Sequence, residues 1–374
     1  MDFTFSEEQR EIGALAERVF RDRATAERVA TAEATADRVD RDLWSTLADA
    51  GLLGVAVPEA NGGAGLGLIE ACLVLEQQGR RVAPVPLHPT AIATLLLAEC
   101  GTADQRALLL PGVATGDVVL SPALTDPASR DPMAPTSVAR PDGEGWLLSG
   151  SRWCVPAAHV ATSLLVPATV DDRAVVFLVD PAAAGVTLER VETTSREVQP
   201  HVHLDRVRVD RAALLGGDIG AGPAVLRRLV DLALVGLCAL QVGVCAEAVR
   251  QIAAYTAERK QFGRALATFQ GVALRAADAY IDTEAMRVTL WQAAWRLAEG
   301  LDAEREVAVA KWWAADAGHR VVHAAQHLHG GLGSDVDYPL HRYFLWGKQL
   351  EVSLGGAAEQ LSRLGARLAR DASG

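Results

Sequence analysis

Two segments concentrate residues whose types and spacing suit ligand chemistry. The first is Glu258-Arg259-Lys260-Gln261-Phe262-Gly263, with Phe269-Gln270 after it. The second is His327-Leu328-His329-Gly330-Gly331-Leu332-Gly333, with Tyr338-Pro339 after it. The guanidinium of Arg259 offers a planar fork that suits bidentate contact with phosphate; the bland alternative is a surface arginine at a helix end. Paired glycines let another backbone or a ligand come close, and they also cap helices. The five cysteines (Cys72, Cys100, Cys154, Cys238, Cys245) are odd in number and contain no Cys-x-x-Cys. A disulfide framework and a zinc site are therefore disfavoured, and no metal ligand set is expected.

The elements that must position these segments follow from period and punctuation. The chain has 374 residues, enough for two or three subdomains. Up to about residue 116 it is helical. Ser6 and Gln9 form a capping box for a helix Glu7–Arg23, with Ile12, Leu15, Ala16, Val19 and Phe20 on one stripe. A helix near Arg41–Ala50 ends at Gly51, and another, Leu66–Gln78, stops at Gly79. From about 117 to 220 short β-like runs appear at Trp146–Gly150, Ser163–Val166, Ala174–Val179, Val186–Arg190 and His201–Val209. That spacing predicts a small antiparallel sandwich or barrel. From 221 to the end the chain is helical again, over Leu226–Arg259 and about 269–299, 302–328 and 347–369. Gly236 and Gly243 in the long apolar helix cost propensity but permit close helix packing. The fold class is α+β, with domains 1–116, 117–220 and 221–374.

Composition narrows the partners. The net charge is −11, which excludes a nucleic-acid-binding surface as the main function. Half of the residues are hydrophobic, yet no uninterrupted apolar run reaches the roughly 18 residues that span a bilayer. The acidic start Met1-Asp2-Phe3-Thr4-Phe5-Ser6-Glu7-Glu8 has no signal-peptide pattern, so a cytoplasmic protein with no membrane partner is expected. Only three lysines occur, Lys260, Lys311 and Lys348, which reflects genome composition more than function.

The two motifs and the helix–sheet–helix order resemble the acyl-CoA dehydrogenase flavoprotein family across almost the whole chain. Gly51-Leu52-Leu53-Gly54, Pro58-Glu59, Gly62-Gly63, the helix holding Glu70 and Glu76, and Leu204–Val209 followed by Leu214-Leu215-Gly216 support it. The resemblance implies an N-terminal helical domain, a middle β domain, a C-terminal four-helix bundle and a tetramer binding FAD. It implies removal of an α proton from an acyl-CoA thioester by a carboxylate, and hydride transfer to flavin, with an electron-transferring flavoprotein as acceptor. By the same resemblance Arg259 meets the FAD pyrophosphate across a subunit interface. Gln261, Phe262, Leu266 and Gln270 line the adenosine and ribityl region, and Gly330 and Gly331 approach the adenine end. His327 stands where the family has Gln, and Thr125 begins the flavin loop. His329 is read as a packing or surface histidine rather than a catalyst.

The chain departs from the family at the flavin ring and at the base. Its loop Thr125-Asp126-Pro127-Ala128-Ser129-Arg130-Asp131 lacks the family's glycines. Cys154 stands at the aromatic position, and Pro156 at the Thr position, where Pro has no N–H or hydroxyl to give. The two usual base positions hold Leu354 and Ala233, and neither accepts a proton. Glu351 is the better fallback among Asp231, Glu351 and Glu359. This pattern is similar to the base-lacking subunit of actinobacterial heterotetramers acting on steroid side-chain CoA thioesters. The favoured expectation is a subunit that completes the FAD site of a Glu-bearing partner in an α2β2 assembly. The alternatives are a homotetramer with Glu351 as base, and a flavin-free scaffold of the same fold.

Overall fold

The computed structural model describes residues 4–373, so Met1–Phe3 of the acidic start lie outside the described residues. Six helices come first: α1 (Glu7–Arg23), α2 (Ala26–Glu33), α3 (Arg41–Asp49), α4 (Leu68–Arg81), α5 (Leu87–Cys100) and α6 (Ala103–Thr115). Seven strands follow: β1 (Leu120–Pro122), β2 (Val138–Asp142), β3 (Gly145–Arg152), β4 (Ser163–Val170), β5 (Arg173–Val179), β6 (Val186–Glu189) and β7 (His201–Val209). Then come α7 (Gly222–Glu258), a small hairpin β8 (Lys260–Gln261) and β9 (Arg264–Ala265), and α8 (Gln270–Ala298). The chain ends in α9 (Glu304–His329), α10 (Leu340–Val352) and α11 (Ala357–Ser373).

The chain folds as two compact units. One takes the segment up to Val29, Cys72–Ala83 and the chain from Leu234 on. In it α9 packs against α8, α10 and α11. Glycines set the helix spacing. A Cβ at Gly243 would stand 2.0 Å from the Glu76 carbonyl, and one at Gly79 would stand 2.1 Å from the Leu240 carbonyl. Helices α4 and α7 therefore touch backbone to backbone, and Gly79 is a contact rather than the end of α4. The expected single helix over 347–369 is two helices, because Leu354 (φ 54°) and Gly355 (φ 103°) turn the chain between them. Among the described residues one helix, α7, is long and apolar enough to cross a membrane by length and composition, but 89% of its apolar window is buried in the protein.

The other unit holds Ala30–Ala71 and Pro84–Ala233. Its sheet runs β1-β4-β2-β3-β7-β6, with β5 on the other side of β4. The β4–β5 ribbon (Leu164 opposite Val179) and the β3–β7 pair are antiparallel, whereas β1 and β2 meet β4 in parallel. The short strands β1 and β2 and three helices, α2, α5 and α6, are not among the elements expected from sequence. Prolines 84, 86 and 89 mark the entry of α5 and do not break it, since they fall before or within its first turn. The sheet's core is apolar, with Trp146 and Phe177 edge to face at 5.2 Å.

Candidate cofactor half-site and base positions

Helix α7 ends at Glu258, and the chain turns straight into the hairpin. Lys260 pairs with Ala265 and Gln261 with Arg264, and the Leu266 N–H donates to the Arg259 carbonyl at 2.8 Å. The two turn residues, Phe262 (φ 50°) and Gly263 (φ 78°), are both left-handed, as a two-residue hairpin of this kind requires. Glycine takes this freely; phenylalanine does not. Phe262 is also 92% exposed, its ring edge-on to Phe269 at 6.2 Å. A large apolar side chain held in open water on a strained backbone marks a candidate contact surface. Among the described residues Arg259, Lys260 and Arg264 have no carboxylate partner, in a chain of net charge −11. Gln261, Gln270 and Arg259 are all exposed, and Leu266 is half-buried.

The second motif lies beside this corner. Tyr255, one turn before Arg259, stacks on His329 at 4.4 Å. His329 is 3% exposed and its Nδ1 donates to the Ala325 carbonyl at 2.7 Å, so of the two roles expected, packing or surface, it takes the first. Gly330 then caps α9 with φ 62°, and its N–H donates to the His327 carbonyl. A Cβ at Gly330 or Gly331 would meet nothing within 4 Å. Gly330 is needed for its backbone angle; nothing in the chain itself explains Gly331. Capping and an open backbone edge hold together here. His327 is exposed.

The two positions where the family resemblance predicts a base, Leu354 and Ala233, carry no acid. Leu354 sits at the α10–α11 break, its carbonyl accepting from Gln360 and Arg363, both at 3.2 Å. Just before it, the fully buried Lys311 donates to the Leu350 carbonyl at 3.0 Å and the Glu351 carbonyl at 3.2 Å. Burial lowers the Lys311 pKa to about 8. Glu351, the fallback, is held by the Lys348 ammonium at 2.5 Å and faces His319 Nδ1 at 3.1 Å. Although burial works the other way, Lys348 and His319 bring its carboxyl below the ordinary value. A base that gives up protons so readily and is already paired is poorly suited to abstracting one. Glu359 caps α11 by accepting the Gly356 N–H at 3.1 Å. In the sheet-bearing unit Ala233 is buried, and the His88 imidazole, held neutral by burial with a pKa of about 4, lies 3.5 Å from its carbonyl.

The strand end at Cys154 and Pro156 has its hydrogen bonds committed internally. The Trp153 N–H donates to the Thr125 carbonyl (2.9 Å), that of Cys154 to His201 Nδ1 (3.1 Å) and that of Val155 to the Pro200 carbonyl (2.9 Å). Pro156 has no N–H, and its carbonyl accepts from the Ser121 hydroxyl. The preceding loop is tied down too. Asp126 accepts from the Ala128 N–H (2.9 Å) and the Thr136 N–H (2.7 Å) and pairs with Arg152 (2.8 Å), both side chains 1% exposed. Exposed Thr125 is joined to the strand end through its carbonyl, which accepts from the Trp153 N–H. The Asp126–Arg152 pair is not expected from sequence; the available signal is that Arg152, at the end of β3, falls in step with the buried Trp146 and Leu148. Among the described residues no group of three His, Cys, Asp or Glu side chains is arranged to hold a metal.

Residues 6–117 match the acyl-CoA dehydrogenase N-terminal domain, and residues 212–369 match the acyl-CoA dehydrogenase C-terminal domain. The chain is 39% identical over 379 residues to acyl-CoA dehydrogenase FadE27 of Mycobacterium tuberculosis, with 99% of each covered. The chain belongs to the acyl-CoA dehydrogenase family. It is thus a member of a family of FAD-dependent oxidoreductases. Two solved structures carry the likeness to three dimensions. One is a variant of the Tcur3481-Tcur3483 steroid ACAD, at 50% identity and TM-score 0.93, covering 98% of this chain and 99% of that one. The other is the ChsE4-ChsE5 complex from Mycobacterium tuberculosis, at 39% identity and TM-score 0.93, with 99% of each covered.

FAD is the cofactor of this acyl-CoA dehydrogenase, and its two candidate contact regions fit the cofactor unequally. At the hairpin, unpaired cations, an exposed Phe262 and open glycine backbone match a dinucleotide with a diphosphate and two ring systems. At the strand end the donors of residues 153–155 are consumed and Pro156 supplies none, so the ring of a flavin finds little to bind.

Proposed function

We propose that this chain is a subunit of an FAD-dependent acyl-CoA dehydrogenase that lacks its own base and completes the cofactor site of a homologous, Glu-bearing subunit in an α2β2 heterotetramer. The contrast between the two FAD contact regions carries the reading: the hairpin half is free to bind, whereas the ring-side half is spent on the chain itself. In this reading Arg259 holds the diphosphate, and Gln261, Phe262, Leu266 and Gln270 line the adenosine and ribityl region. Gly330 and Gly331 pass the adenine end, with His327 as a hydrogen-bonding neighbour, and Thr125 belongs to the spent half. Bound FAD supplies the hydride acceptor; this chain's residues bind and orient it, while the proton is taken by the partner.

The division into domains 1–116, 117–220 and 221–374 is part of the proposal, supported by the limits of the two matched domains. So is the heterotetramer, supported by likeness to a steroid ACAD and to the ChsE4-ChsE5 complex. A CoA thioester with a steroid-derived acyl chain and an electron-transferring flavoprotein acceptor complete the expectation. The self-sufficient alternative needs Glu351 free, and its pairing with Lys348 disfavours that.

The test is flavin content and turnover. Expressed alone, the chain should be colourless; co-expressed with a Glu-bearing homologue, it should give a yellow complex with one FAD per pair that oxidises an acyl-CoA. A yellow, active assembly of this chain alone overturns the proposal.

A further inference from the structure

The register of the hairpin assigns each of its side chains a face. Residues paired across an antiparallel hairpin share a face, and neighbours along one strand alternate. Gln261 pairs with Arg264, and the Leu266 N–H to Arg259 carbonyl bond sets Arg259 opposite Leu266. Arg259, Gln261, Arg264 and Leu266 therefore share one face, and Lys260 and Ala265 take the other. Three of those four are the residues given cofactor contacts above. The fourth is a second guanidinium.

Arg264 is exposed, has no carboxylate partner among the described residues, and lies over the Phe269 ring at 4.0 Å from its centroid. A cation–π contact does not use up N–H donors in hydrogen bonds to oxygen, so the guanidinium can still serve another acceptor. The aromatic ring so holds a flexible side chain on the face where Arg259 also projects, which lowers the entropy lost on binding. A diphosphate carries two anionic centres, and a face with two forked cations can serve one each.

We propose that Arg264 is a second diphosphate-binding residue of this half-site, working beside Arg259 and poised by Phe269. The inference rests on the reading of the hairpin as the cofactor half-site. The assembly as isolated is stripped of flavin and retitrated with FAD, ADP and adenosine at low and high NaCl. Wild type is compared with Arg264→Met, which keeps a side chain over Phe269 without the charge, and with Arg264→Lys and Arg259→Ala. Arg264→Met should weaken FAD and ADP by about tenfold or more, the worth of one charge-assisted hydrogen bond, and flatten the salt dependence. Adenosine binding should stay unchanged, and Arg264→Lys should recover part of the loss. Wild-type FAD affinity and salt dependence in Arg264→Met, with binding lost in Arg259→Ala, overturns the role of Arg264 alone. Equal losses for ADP and adenosine also overturn it, since they mark a structural effect. Unchanged binding in both Arg264→Met and Arg259→Ala instead defeats the half-site reading beneath it.

Discussion

Glu351 decides between a catalytic and a supporting chain, and its environment is specific. A carboxylate paired with Lys348 gains nothing as a base, so Glu351→Gln should leave turnover of the assembly within about twofold, measured as kcat on its acyl-CoA. A fall of a hundredfold or more would make Glu351 the base after all. The same pairing makes a pH statement. Its folded pKa is depressed, so its contribution to stability is present above the unfolded value near 4.5 and is lost as pH falls through the lower, folded value. Being partly exposed, the pair is worth at most about 1 kcal/mol. Thermal melts of Glu351→Gln should therefore lie slightly below wild type near neutral pH and converge with it in acid. At this scale the sequence is legible where chemistry depends on residue type. Leu354 and Ala233 carry no acid and Pro156 no N–H whatever the fold around them, so the proposal they motivate needs no coordinates. Pairings over long separations are not, because Asp126 and Arg152 meet only once the sheet is folded.

Elements are legible where one period persists. The capping box of Ser6 and Gln9 and the stripe behind it give α1 its limits, and β7 alternates from His201 to Leu204 and again from Arg206 to Val209, with the phase shifting between Asp205 and Arg206. Helix α5 escapes because it is apolar all round and entered through prolines, leaving no stripe to detect. The α10–α11 break escapes because Leu354 takes a left-handed backbone angle that no local rule assigns to leucine. Gly243 shows how packing reverses propensity. In an isolated helix Gly→Ala gains up to about 1 kcal/mol. Here the added methyl would collide with the Glu76 carbonyl, and overpacking costs about 1–3 kcal/mol or more. Gly243→Ala should lower the urea midpoint measurably, whereas Gly271→Ala, at a helix position with open space around it, should not. Equal midpoints for the two variants would mean that α4 and α7 yield at this contact.

At the scale of the whole molecule, the proposed assembly needs a surface that joins subunits, and α8 offers one. Leu274, Ile281, Val288 and Trp295 recur every seven residues and are 58%, 62%, 67% and 39% exposed. They lie opposite the face formed by Ala279, Thr283, Met286 and Leu290, which is buried within the unit. A seven-residue apolar repeat on the outside of a long helix is a seam for another helix. Beside it, a cleft of 250 Å³ lined by Arg275, Asp278, Asp282 and Arg320 can receive a side chain from the facing helix. The same helix begins at Gln270, directly after the hairpin, so in the proposed assembly a subunit seated on α8 also stands near the candidate cofactor residues. The occupant that fits is the corresponding helix of another subunit of this fold. Placing a carboxylate in the seam, as Ile281→Glu or Val288→Glu, buries an unpaired charge in the assembly and costs nothing in the separate chain, where both positions face water. Light scattering after size exclusion should then show smaller species, flavin should be lost with the assembly, and the melting of the dissociated chain should stay close to that of wild type. An unchanged mass with full flavin would place the subunit contact elsewhere and leave the α8 stripe without a role in assembly.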